Sequence, residues 1–160
     1  MAKVLCKELM ENDPRQPPEY SYFCPMEAVK LPKQILARQH EIVAEFIREV
    51  NKHVEDIAAG RATEMIEIRD FAQLMHIHPT HLSNTIKLTT GQAPCFFFEE
   101  KIMEVSRRLL SETNDPIANI AMQLTYDPSN FTKFFKRFQG LTPKQYREQV
   151  YREKMEAIAV

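Results

Sequence analysis

The stretch FAQLMHIHPTHLSNTIKLTTGQAPCFF, residues 71–97, returns without a gap as IAMQLTYDPSNFTKFFKRFQGLTPKQY, residues 120–146, at a constant offset of 49. Ala72 falls on Ala121, Pro79 on Pro128, Leu82 on Phe131, Ser83 on Thr132, Ile86 on Phe135 and Lys87 on Lys136. The pattern closes with Gly91, Ala93, Pro94 and Phe97 against Gly140, Thr142, Pro143 and Tyr146. Self-similarity at one fixed register marks a supersecondary unit used twice.

Each copy reads as helix, tight turn, helix, so the fold class is all-α. Pro79 and Pro128 mark the starts of the second helices, because a proline at the first helical position gives up an N–H that has no partner there. Asp127, just before Pro128, is a favoured N-cap. Gly91 and Gly140 mark the ends, since glycine takes the left-handed conformation past a helix without steric cost, and each Ala/Thr-Pro that follows should open a further helix. In the first copy Leu82 and Ile86 face inward, leaving Thr80, Ser83, Asn84 and Lys87 outside. In the second, Phe131, Phe134 and Phe135 are the anchors, and Ser129, Asn130, Thr132, Lys133 and Lys136 are left on the outer face. One such amphipathic helix is ordinary. Two copies, each with a lysine at the same place on a polar helix, are hard to explain by core packing alone, and hydroxyls, amides and amines are what base edges and phosphates require.

Residues 34–59 form an amphipathic helix whose stripe is Ile35, Ile42, Val43, Phe46, Ile47, Val50, Val54 and Ile57, with Gly60 as its stop. Its C-terminal half is expected to pack on the first unit, and its N-terminal half suggests pairing of two chains through residues 34–60. Before it, Pro14, Pro17, Pro18, Pro25 and Pro32 exclude a continuous helix from the arm.

With 44% hydrophobic and 27% charged residues over 160 positions, the chain has the composition of a globular protein. The absence of a long apolar run and of a signal-peptide pattern points to a cytoplasmic location without a membrane partner. Cys6, Cys24 and Cys95 show no ligand spacing and an odd count, and read as reduced thiols. The net charge of −1 hides a basic run: residues 128–147 hold Lys133, Lys136, Arg137, Lys144 and Arg147 with no acid. His76, His78 and His81 stand close in sequence, but on a turn, before a helix and on it, so no metal site is expected. No nucleophile-base set and no glycine-rich phosphate loop is found in a chain with 3 glycines, so neither catalysis nor a cofactor is expected.

Ile117-Ala118-Asn119-Ile120-Ala121, Phe131-Thr132-Lys133-Phe134-Phe135-Lys136-Arg137 and Gly140-Leu141-Thr142-Pro143-Lys144-Gln145-Tyr146-Arg147 are similar to the signature of the AraC/XylS family of bacterial transcription regulators. The resemblance covers roughly residues 40–150 and implies two helix-turn-helix subdomains joined by a long linker helix, about Pro94 to Leu110, with Phe97, Phe98, Ile102, Val105, Leu109 and Leu110 facing them. The implied organisation is an arm over 1–33, a long helix over 34–60, a first unit over 61–93, a linker over 94–112, a second unit over 113–150 and a tail over 151–160. It implies recognition helices in successive major grooves, about 34 Å apart. Base-reading positions then fall on Thr80, Ser83 and Asn84, and on Ser129, Asn130, Thr132 and Lys133, with Lys87, Lys136 and Arg137 on phosphates. Asn84 suits adenine, whose N6 and N7 an amide can pair together for about 1–3 kcal/mol of discrimination.

Two departures stand out. The first unit has no arginine on its reading face and is expected to contribute less affinity. His76 and Thr125 occupy turns where the family often has glycine. The arm is also too short for the sensory barrel of many members, so no small-molecule sensing through such a barrel is expected.

The resulting expectation is a transcription activator or repressor on double-stranded DNA, with RNA polymerase as a further partner of an exposed helix face. The competing expectation is a protein-interaction module on the same scaffold, with weakened DNA binding.

Overall fold

The computed structural model describes residues 33–158, with side chains from Leu36, and over that range it is all-helical. The expectations for the arm, Cys6, Cys24 and the Ile35 side chain lie outside the described residues. The helices are α1 (Lys33–Ala58), α2 (Ile68–Leu74), α3 (Pro79–Thr90), α4 (Pro94–Glu112), α5 (Ile117–Gln123), α6 (Pro128–Gln139) and α7 (Pro143–Ile158).

Ile42, Val43, Phe46, Val50, Val54 and Ile57 of α1 are buried, at the three- and four-residue steps that keep a stripe on one helix face. The stripe is spent inside this chain, against α3 and α4. The outward face of α1 carries ion pairs, Arg38–Glu41 at 3.2 Å and Arg48–Glu45 at 3.4 Å. The helix stops at Gly60, φ 71°, where the Gly60 N–H donates to Ile57 O at 2.9 Å and the Arg61 N–H to Asp56 O at 2.8 Å. Prolines open α3, α4, α6 and α7, and left-handed glycines at 91 and 140 close α3 and α6 through bonds to Lys87 O and Lys136 O, both 2.9 Å.

One apolar core runs from α1 through α4 into α6. In the first unit the Phe46 ring meets Phe71, Phe97 and Phe98 edge-on at 5.8, 6.2 and 6.0 Å. In the second, Phe135 packs on Phe131 at 6.0 Å and on Tyr146 at 5.4 Å. Between them α4 buries Ile102, Met103, Val105 and Leu110.

Polar ties then orient α4 at both ends. Glu55 of α1 accepts two bonds from Arg108, at 3.0 and 2.5 Å, and pairs with Lys101 at 3.0 Å. The Arg108 bond, more than any other influence, holds the Glu55 carboxyl down at about 2. At the far end Arg147 Nε donates to Leu110 O at 3.3 Å, Lys154 Nζ to Ser111 O at 2.6 Å and the Tyr151 hydroxyl to Thr113 O at 3.2 Å. The last carbonyls of a helix lack intrahelical partners and carry its negative pole, so cations from α7 are favourable there. Residues up to Ile158 continue α7, with no glycine or proline after Pro143 to stop it and with Tyr151 and Lys154 anchored at the C-terminal end of α4.

Before the first unit, the Ile66 N–H donates to His53 Nε2 at 3.2 Å, which clips the 61–67 connection to α1. Burial pushes the His53 pKa down, which keeps that nitrogen free to accept. No described helix is long and apolar enough to cross a membrane.

Candidate nucleic-acid interface

The repeat survives in the backbone hydrogen bonds of the two turns. The His76 N–H donates to Gln73 O at 3.1 Å and the Ile77 N–H to Ala72 O at 2.8 Å. Forty-nine residues on, the Thr125 N–H donates to Met122 O at 3.0 Å and the Tyr126 N–H to Ala121 O at 2.8 Å. This pair of bonds needs a left-handed residue just past the helix. His76 and Thr125 supply it, at φ 54° and 63°. The two turns therefore have the same length and hand.

Both second helices are capped in the same way by different chemistry. Asp127 Oδ1 accepts from the N–H groups of Ser129 and Asn130 at 2.9 and 3.2 Å, as an N-cap aspartate does. His78 Nδ1 takes the equivalent place before α3 and accepts from the Thr80 N–H at 3.3 Å. That use of His78 separates it from His76 and His81; among the described residues no group of three His, Cys, Asp or Glu could hold a metal ion.

On α3, Leu82, Thr85 and Ile86 are buried while Thr80, Asn84 and Lys87 are exposed and Ser83 is half-buried. On α6, Phe131 and Phe135 are buried, Phe134 is half-buried, and Ser129, Asn130, Lys133, Lys136 and Arg137 are exposed. Thr132 is half-buried, and its hydroxyl donates to Pro128 O at 2.9 Å. With its proton spent inside the helix, Thr132 can offer a groove only a methyl group and an acceptor.

Charge divides the two faces. Among the described residues Lys87, Lys133 and Lys136 have no ion pair, whereas Arg137 Nη2 donates to Glu99 of α4 at 2.9 Å and its guanidinium carbon lies 4.5 Å from the Phe138 ring centre. In the repeat register Asn84 answers to Lys133 and Leu88, 81% exposed, answers to Arg137. Beside this pair Tyr126 stacks on Phe134 at 5.1 Å, and burial, with the Glu99 charge adding to it and Arg137 opposing, pushes its hydroxyl up to about 12.

Two residues of the candidate face escaped the sequence reading. His81 is exposed at the register of Asn130 and was discoverable from the offset alone. Glu99 was not, because its contact with Arg137 spans 38 residues and leaves no local pattern.

Residues 71–149 match the family model described as a helix-turn-helix domain. Over 92 residues the chain is 29% identical to the uncharacterized HTH-type transcriptional regulator YobQ of Bacillus subtilis, covering 57% of this chain and 38% of that protein. Among solved structures it is similar to the C-terminal domain of AraT, a response regulator from Geobacillus stearothermophilus, at 28% identity and a TM-score of 0.58 over 68% of this chain and 84% of that one. The fold is also that of a transcriptional regulator from Chromobacterium violaceum described as AraC-type DNA-binding, at 19% identity and a TM-score of 0.61, over 71% of this chain and 96% of that one. The match to YobQ spans about two fifths of that relative's length.

Proposed function

We propose, on the premise that residues 71–149 are a helix-turn-helix domain of the AraC type, that the chain is a transcription regulator that binds duplex DNA and reads two successive major-groove segments with α3 and α6. The observation that carries this reading is the doubled turn and cap: one backbone geometry, repeated at an offset of 49, presents a polar helix each time. Thr80, Ser83 and Asn84 of α3, and Ser129, Asn130, Thr132 and Lys133 of α6, are the base-reading set, with the limit on Thr132 that its hydroxyl, donating to Pro128 O, can offer a base only an acceptor. Lys87, Lys136 and Arg137 hold phosphates. Both units are tied to α4, so the spacing between reading heads follows from one helix rather than from a flexible linker. RNA polymerase is a natural second partner for a regulator of this kind.

The test is selection of bound duplexes from a random pool by the purified chain, repeated with Asn84→Ala and Lys133→Ala. The reading requires two short motifs about one helical turn apart, with each substitution relaxing one of them. Enrichment of nothing above non-specific binding overturns it.

A further inference from the structure

Of the cations of α6, Arg137 alone is held back: Lys133 and Lys136 have no ion pair among the described residues, while Arg137 is bound to Glu99. The contact is a single bond from Nη2 to Oε1 at 2.9 Å between side chains that are 51% and 36% exposed. A guanidinium has five donors and matches a carboxylate or a phosphate in the same way, and the Phe138 face beneath this one favours its planar, charged group. Among the described residues Glu99 has no other ion pair; Lys101 and Arg108 lie on the opposite face of α4, where Glu55 engages them.

Resting on the DNA-binding reading above, we infer that Glu99 is an intramolecular competitor for Arg137, which occupies the guanidinium in the free chain and yields it to a backbone phosphate when α6 docks. A single exposed bond is easily exchanged. Glu99 therefore sets a threshold on binding: the pair must open, and a carboxylate must remain near the phosphate it has been exchanged for. The first unit has no such device, since Leu88 stands at the register of Arg137.

The experiment is a double-mutant cycle on the whole chain with Glu99→Gln, Arg137→Met and the double variant. Dissociation constants are read by anisotropy at about 0.1 M salt on the labelled duplex that the wild-type chain selects and on a scrambled duplex. An exposed ion pair is worth a factor of about two to five. Glu99→Gln should tighten binding by that factor, and the gain should vanish in the Arg137→Met background. Arg137→Met alone should flatten the salt dependence by about 0.9 in log–log slope, the share of one phosphate. A Glu99→Gln change that weakens binding, leaves it unaltered, or tightens it equally without Arg137 overturns the inference while leaving the DNA-binding reading in place. If the wild-type chain binds neither duplex, the DNA-binding reading falls, and the inference with it, before any variant is compared. The guanidinium Nη–H resonances of Arg137, protected in the wild type and released in Glu99→Gln, show separately whether the pair forms in solution.

Discussion

Replacing Thr125 with glycine should stabilise the protein, although it deletes a side chain from a structured turn. Thr125 is held at φ 63° by two bonds that cannot both form otherwise, its own N–H to Met122 O and the Tyr126 N–H to Ala121 O. A left-handed conformation costs an L-residue roughly 1–2 kcal/mol, with β-branched side chains at the upper end. Glycine removes that cost and adds about 0.5–1 kcal/mol of backbone entropy lost on folding. The balance is a gain of about 1 kcal/mol, or about 3 °C in melting temperature for a chain of this size. Thr125→Ala, which keeps the Cβ but removes the branch, should recover a minor part of it. Urea unfolding of the three proteins, monitored by far-ultraviolet circular dichroism, gives the comparison. Loss of stability in Thr125→Gly, or an equal change in Thr125→Ala and Thr125→Gly, would refute the assignment of strain to this backbone and place the effect in contacts of the threonine side chain.

Glu55→Gln should cost about 1 kcal/mol near neutral pH, a figure already discounted for a carboxylate one-third open to solvent. Because the folded carboxyl sits at about 2 against 4.5 when free, this stabilisation is complete above about 4.5 and disappears as pH falls toward 2; acid unfolding of the variant should be flatter across that window. Phe46→Ala, which empties a fully buried site at the meeting of three other rings, should cost about 3–5 kcal/mol by the same urea assay. Under the DNA-binding reading, Leu88→Arg should tighten binding about threefold and steepen the salt slope by about 0.9, since it gives α3 the cation that α6 has at the same register; an unchanged slope argues that Leu88 does not face the duplex.

The fold was readable from the sequence to the extent that its signals are local. Prolines at the starts of helices and glycines after their ends act within a turn of chain, so the boundaries of α3 and α6 follow from residues 79, 91, 128 and 140. The inward stripe of α1 was readable for the same reason. The continuation of α7 had no apolar pattern to announce it; residues 151–158 are nearly all exposed, and their helix is secured by Tyr151 and Lys154 reaching carbonyls 38 and 43 residues away. His78 as a cap was missed because histidine is not a preferred capping residue, yet a neutral Nδ1 in the N-cap position accepts as a carboxylate does. On the candidate faces, outward positions could be counted from periodicity, but the engagement of Arg137 by Glu99 and of Thr132 by Pro128 O could not.

The asymmetry between the units gives the proposed reading its mechanical content. The two turns are superimposable in their hydrogen bonds, so the difference between α3 and α6 lies in side chains alone: Asn84 and Leu88 on one, Lys133 and Arg137 on the other. Cations act at range and without regard to base sequence, while amides and hydroxyls act only in contact. Under the proposed reading, such a chain would engage DNA first through α6, whose cations would supply the larger share of the salt-sensitive affinity. On the same reading α3 would then test the neighbouring groove, with Lys87 as its phosphate contact and Thr80, Ser83 and Asn84 adding discrimination to that of α6. That order works only if capture by α6 is itself restrained, because a strongly cationic head would hold any sequence long enough to defeat the second test. If Glu99 competes for Arg137 as inferred above, the carboxylate it places against the last cation of α6 would be that restraint.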